Sequence, residues 1–127
     1  MLALTMVANP SIATATPLPD PRRVDVAPIR PLLDHIRAVY HPEQVWLFGS
    51  RARGDATPAS DWDLLVVVPD DTDERLLDPR EVWRMKRGQR VPSDVFVCRR
   101  REFYEDRDTV NTLAHVVALE GVLVDGR

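Results

Sequence analysis

The sequence predicts an α/β (α+β) domain in which a small mixed β-sheet is flanked by helices, and three observations carry that prediction. Leu32, Leu33, Ile36, Val39 and Tyr40 recur at three- and four-residue spacing, the mark of an amphipathic helix. Two apolar β-prone runs, Trp62 to Val68 and Pro92 to Cys98, are separated by a helix-start signal at Asp78-Pro79-Arg80-Glu81. The chain has 127 residues, 44% of them hydrophobic, which suffices for one core and is too little for two.

Residues 1 to 27 are rich in Pro, Ala and Thr, and Pro10, Pro17, Pro19 and Pro21 break any periodic pattern. They read as a flexible tail, leaving 28 to 127 as the domain. The first helix runs from Pro28 to Tyr40, with Pro28 or Pro31 near its start, where a missing N–H costs nothing. Gln44 to Phe48 is a short β-prone segment that runs into Gly49. The second strand, Trp62 to Val68, is apolar after Asp63, the pattern of a strand buried on both faces and therefore central. Asp78 caps a helix carrying Val82, Trp83 and Met85 that stops near Gly88, and Pro92 opens the third strand. Arg99 to Arg107 forms a polar helix anchored by Phe103 and Tyr104, its arginines solvated rather than an RNA patch. Val110, Leu113, Ala114, Val117 and Ala118 form a last helical stripe ending at Gly121, and Val122-Leu123-Val124 adds an edge strand. With so few elements, the helices are expected on one side of the sheet.

Charge narrows the partners. Seventeen basic residues against 20 acidic ones leave a net charge of -3, so no broad cationic surface is available to hold long nucleic acid. Cys98 is the one cysteine, which excludes an internal disulfide and a multi-cysteine zinc site and reads as packing. No apolar run approaches the roughly 18 residues of a membrane span, and Met1 to Val7 lacks the basic residues of a secretory signal, so cytoplasmic placement is expected.

The chemistry is concentrated in Gly49-Ser50-Arg51-Ala52-Arg53-Gly54-Asp55 and Ser60-Asp61-Trp62-Asp63. Gly49 lets backbone approach a phosphate, and Ser50 offers a backbone N–H and a hydroxyl at the start of a short helix. Arg51 and Arg53 can each fork onto phosphate oxygens, but residues two apart in a helical turn diverge, so only one reaches a triphosphate. Ser60 caps or hydrogen-bonds the loop. Asp61 and Asp63, at i and i+2 of a strand, project together while Trp62 turns to the opposite face. Two carboxylates that close repel unless a cation lies between them, and magnesium suits carboxylate and phosphate oxygens. Asp94, on a neighbouring strand, completes the ligand set and is placed to accept a proton. An isolated Asp-x-Asp pair is commonly two solvated turn residues; beside a glycine turn and a third acid it reads as a metal site. Ser50 is not read as a hydrolytic nucleophile, since His35, His41 and His115 all fall on or beside helices away from it.

On these residues the chain resembles the polymerase-beta-like nucleotidyltransferase superfamily, in particular its small stand-alone members, from about Pro31 to Gly121. The resemblance implies a nucleotidyltransferase fold, two magnesium ions, and a nucleoside triphosphate, usually ATP, as donor. It implies Gly49 and Ser50 as the phosphate-binding pair, Asp61 and Asp63 as paired metal ligands, and Asp94 as the third. One ion would hold the triphosphate and the other would activate the attacking hydroxyl. Minimal members are often encoded with a helical RNase toxin and neutralise it by adding AMP to a tyrosine or by forming a complex with it. A nearby helical toxin is therefore the expected partner, and a non-catalytic antitoxin is the alternative. The extra domains of relatives acting on primers or tRNA have no counterpart here, so acceptor recognition is expected from a partner, an oligomer or the protein acceptor itself.

Overall fold

The computed structural model describes residues 24–126; residues 1–23 of the expected tail, and Arg127, lie outside the described residues. A short 3-10 turn, Ala27–Ile29, leads into α1 (Arg30–Tyr40), followed by β1 (Gln44–Phe48), α2 (Ser50–Arg53) and β2 (Trp62–Val68). A second 3-10 turn, Glu74–Leu77, precedes α3 (Pro79–Lys86), β3 (Ser93–Arg99), α4 (Arg100–Asp106), α5 (Leu113–Glu120) and β4 (Val122–Gly126). Val24 and Val26 pack against the core, so the domain's contacts reach back past residue 28.

The sheet order is β3-β2-β1-β4. β1 runs antiparallel to both β2 and β4, whereas β2 and β3 are parallel. The parallel pair requires a crossover, which the segment through α3 supplies. β2 is central as its composition demands, with every residue from Leu64 to Val68 buried. α3 starts as expected: the Asp78 carboxylate accepts the Arg80 N–H, and Pro79 occupies the first turn.

Helices cover both faces of the sheet, which corrects the one-sided expectation. On one face Val45, Leu47, Leu64 and Val66 meet Leu32, Leu33 and Ile36 of α1 and Val82 and Met85 of α3. On the other, Phe48, Leu65 and Val67 meet Phe103 of α4 and Ala114 and Val117 of α5. The physical reason lies in β2 itself. Its apolar residues alternate to both sides, so a bare second face would leave Leu65 and Val67 in water.

Other departures are local. Val110 stands outside α5 and is 68% exposed, because the Thr112 hydroxyl accepts the His115 N–H and starts the helix at Leu113, three residues later. Phe103 is buried but Tyr104 is not, so α4 has one anchor rather than two. Arg99 is not a solvated helix-start residue; it donates to the carbonyls of Asp70 and Thr72 at 3.0 and 2.7 Å and ties down the turn after β2. Among the described residues no helix is long and apolar enough to cross a membrane.

Candidate active site

The site is built where β1 ends. Gly49 follows Phe48 with φ 75° and ψ -159°, a backbone conformation that side chains resist, and α2 begins at the next residue. Ala52 is buried beneath α2 and anchors it, while Gly54 closes it at φ 90° with its N–H on the Ser50 carbonyl. Ser50 sits at the first position of α2, where an N–H has no helical carbonyl to bind. Phe48 is paired with Asp63 across β1 and β2. The chain leaving Phe48 therefore passes over Asp63, so closely that a Cβ at Gly49 would overlap Asp63 Oδ2.

Asp63 is also in register with Asp94 on parallel β3, and paired residues share a face. Asp61 lies one residue before β2 begins and is exposed, as is Asp94, whereas Asp63 is half-buried. Burial first, then the charges of Asp94 and Asp61, hold the Asp63 carboxyl above the usual carboxylate range; Glu120 adds to this, and Arg53 opposes it. Asp94 and Asp61 are each thus close enough to Asp63 to repel it. A purely oxygen donor set under mutual repulsion fits a hard divalent cation. Among the described residues no three ligand-type side chains are already gathered into a metal cage, so an ion would have to draw the exposed carboxylates of Asp61 and Asp94 toward Asp63.

The two arginines separate clearly. Arg51 folds back onto the loop, donating to the carbonyl of Ser60 at 3.0 Å and of Pro58 at 3.5 Å, with its guanidinium 4.6 Å from the Trp62 ring centre. Arg53 makes no such contact with Pro58 or Ser60; half-exposed, it pairs with Asp55 and Glu120. Ser60 is likewise a loop brace, its hydroxyl accepting the Thr57 N–H at 2.9 Å. Arg51→Ala is therefore expected to cost about 1–3 kcal/mol of stability in denaturant unfolding and to raise KM for the nucleotide less than Arg53→Ala does. The reverse ranking in KM would place Arg51, not Arg53, on phosphate.

Sequence reasoning missed Glu120. Its carboxylate accepts the Gly49 N–H at 3.2 Å and bridges to Arg53 Nη1 at 3.3 and 3.1 Å. One signal was present: a lone acid closing a helix that is apolar except for His115, at the end where the helix dipole disfavours negative charge. His115 is placed structurally, with Nδ1 2.8 Å from the Arg107 carbonyl. Burial, with Glu102 and Asp106 nearby, pushes the Cys98 thiol up to about 12, so it stays protonated and packs.

The sequence model of the nucleotidyltransferase domain family matches residues 29–117, from the turn before α1 into α5. The crystal structure of a candidate nucleotidyltransferase from Sulfolobus solfataricus superposes with a TM-score of 0.55 at 26% identity, covering 84% of this chain and 84% of that one. No curated protein matches.

Proposed function

Because the chain belongs to the nucleotidyltransferase domain family, we propose that it transfers a nucleotidyl group, AMP from ATP, to a hydroxyl acceptor with magnesium as the metal, the acceptor being a tyrosine of a helical toxin encoded nearby. The observation that carries this reading is the contact of the phosphate turn with the acids: Gly49 lies against Asp63, and Asp94 stands beside Asp63 in register. This contact supports the reading because it would hold donor phosphates and metal-ligating carboxylates at one point.

In the reaction the acceptor oxygen forms a bond to the α-phosphorus, and the bond from that phosphorus to the bridging oxygen breaks, with pyrophosphate leaving as the electron pair's carrier. The Ser50 N–H and hydroxyl, the Gly49 amide and the Arg53 guanidinium bind the phosphate oxygens and take up charge on the leaving group. Asp61, Asp63 and Asp94 would hold the divalent ions, which when bound neutralise triphosphate charge and acidify the acceptor hydroxyl. Asp94, exposed on the edge strand β3, would accept the acceptor's proton. A cytoplasmic setting, where ATP and magnesium are abundant, suits this chemistry.

The test is to incubate the protein with each labelled nucleoside triphosphate, magnesium and the product of the adjacent gene, and follow intact mass. Addition of one nucleotide to a partner tyrosine, lost when that tyrosine is replaced by phenylalanine, is the expected result. No transfer to any protein or small-molecule hydroxyl would sink the proposal. A second reading, an antitoxin that masks its partner without transfer, draws on an apolar cleft of about 520 Å³ beside edge strand β3, lined by Phe96, Phe103, Leu113 and the 59%-exposed Trp83. In that case Asp61→Asn and Asp63→Asn neutralise the partner fully, in a complex that forms without ATP.

A further inference from the structure

Glu120 lies against two of the donors to which phosphate binding has been assigned. The Gly49 amide donates to Oε1 at 3.2 Å, and Arg53 Nη1 spans both carboxylate oxygens at 3.3 and 3.1 Å. These contacts join residues 71 and 67 positions apart, so the packing of α5 on the sheet creates them. Nothing in α5 favours a carboxylate at that position, because the negative end of the helix dipole faces it. What holds it there is the pair of donors across the interface. Its charge also adds to the repulsion felt by Asp63.

We infer that Glu120 is an internal anion seated where the triphosphate belongs, occupying the Gly49 amide and the Arg53 guanidinium until the nucleotide displaces it. The inference rests on the reading of Gly49 and Arg53 as phosphate donors. A carboxylate and a phosphate oxygen are both anionic acceptors, and a single amide N–H cannot serve both at full strength. Leaving both anions at one cradle adds like-charge repulsion. Displacement is open to Glu120, the last residue of its helix, whose side chain is only partly covered. When product leaves, the carboxylate returns and satisfies the buried Gly49 N–H, which would otherwise lack a partner. Glu120 thus lowers affinity for phosphate and assists pyrophosphate release; it is a positioning residue that does not touch the reacting atoms.

The experiment is calorimetric titration of inorganic tripolyphosphate into the wild type, Glu120→Gln, Glu120→Ala and Asp55→Asn at low ionic strength. Glu120→Ala is expected to bind about tenfold more tightly than the wild type, since it frees both donors, and Glu120→Gln to gain less, since its amide oxygen still accepts from them but without the charge. Asp55→Asn removes the same charge from beside Arg53 but leaves Glu120 on Gly49, so its gain is smaller. Added salt shrinks every gain. If the Glu120 variants bind tripolyphosphate no better than the wild type, or worse, Glu120 is a brace of the turn and the inference is overturned. The wild type supplies an independent reading: during the titration the Gly49 and Glu120 resonances should shift together with one midpoint, and Gly49 shifting alone would also overturn it. Tighter binding by Glu120→Gln without labelling of any acceptor leaves the seat standing and removes the transfer reading. Labelling without tighter binding does the reverse.

Discussion

Asp63→Asn is expected to reduce nucleotidyl transfer by about a thousandfold or more, while leaving a folded domain that is more heat-stable than the wild type. The two effects have one cause. Asp63 is half-buried beside Asp94 and Asp61, and its carboxyl is held above the usual carboxylate range by burial and by those charges. The folded state therefore holds the Asp63 proton more tightly than the unfolded chain does. Stability falls as pH rises from the ordinary carboxylate pKa through the raised folded value, and above that value the whole cost is present. Asparagine keeps the shape and removes the charge, so at neutral pH the melting temperature should rise by a few degrees, and the pH dependence over that interval should flatten. In the proposed mechanism a divalent ion held by these acids would supply the same relief by another route, and magnesium is the ion to test. It should raise the melting temperature of the wild type and have much less effect on Asp63→Asn. The measurements are acceptor labelling and thermal unfolding across pH, with and without magnesium. Labelling that survives the substitution, or a variant less stable than the wild type at neutral pH, would remove Asp63 from the role assigned to it.

Gly49→Ala should be the most damaging single substitution to the fold of the site, costing about 2–4 kcal/mol of stability and about a hundredfold or more in transfer. Two penalties coincide at this position. Alanine resists φ 75° with ψ -159°, and its Cβ would overlap Asp63 Oδ2. Relief requires either displacing the Gly49 turn or swinging Asp63 away from Asp94, and each change separates groups that the proposed mechanism needs together. Gly54 provides the internal control. It also has positive φ, at 90°, but nothing lies within 4 Å of a Cβ built there, so Gly54→Ala should cost only about 1–2 kcal/mol. A double-mutant cycle with Asp63→Ala isolates the contact, because Gly49→Ala should be milder once the carboxylate is gone. Urea unfolding that ranks Gly49→Ala no worse than Gly54→Ala would show that the turn and the carboxylate are not in contact.

Much of the architecture was legible because local chemistry and tertiary packing agree there. The Asp78-Pro79 start of α3 depends on a side chain two residues from the amide it binds, so it can be read without knowing the fold. The unbroken burial of β2 follows from five consecutive apolar residues that only a central strand can hide. The placement of Asp63 and Asp94 side by side at one end of the sheet was legible for a related reason: a polar residue near the start of an apolar strand stands at the strand's end. Coverage was not legible in the same way, because the stripes of α4 and α5 do not state which face they will meet. Val110 misled because an apolar residue at helical spacing looks the same before a cap as within a helix.

By itself the sequence determined the turn at Gly49, the two acids flanking Trp62 and the third at Asp94, all of which follow from residue type and short-range spacing. Tertiary structure alone decided how these parts are used. The β1–β2 register brought Gly49 onto Asp63, and the parallel pairing of β2 with β3 set Asp94 beside it. The fold of the loop committed Arg51 to Ser60 and Pro58, while the docking of α5 carried Glu120 to Gly49 and Arg53. The division has a physical basis. Backbone preference and side-chain periodicity act over a few residues, but which charges share a space depends on contacts between segments far apart in the chain, and only burial of the common core brings those segments together.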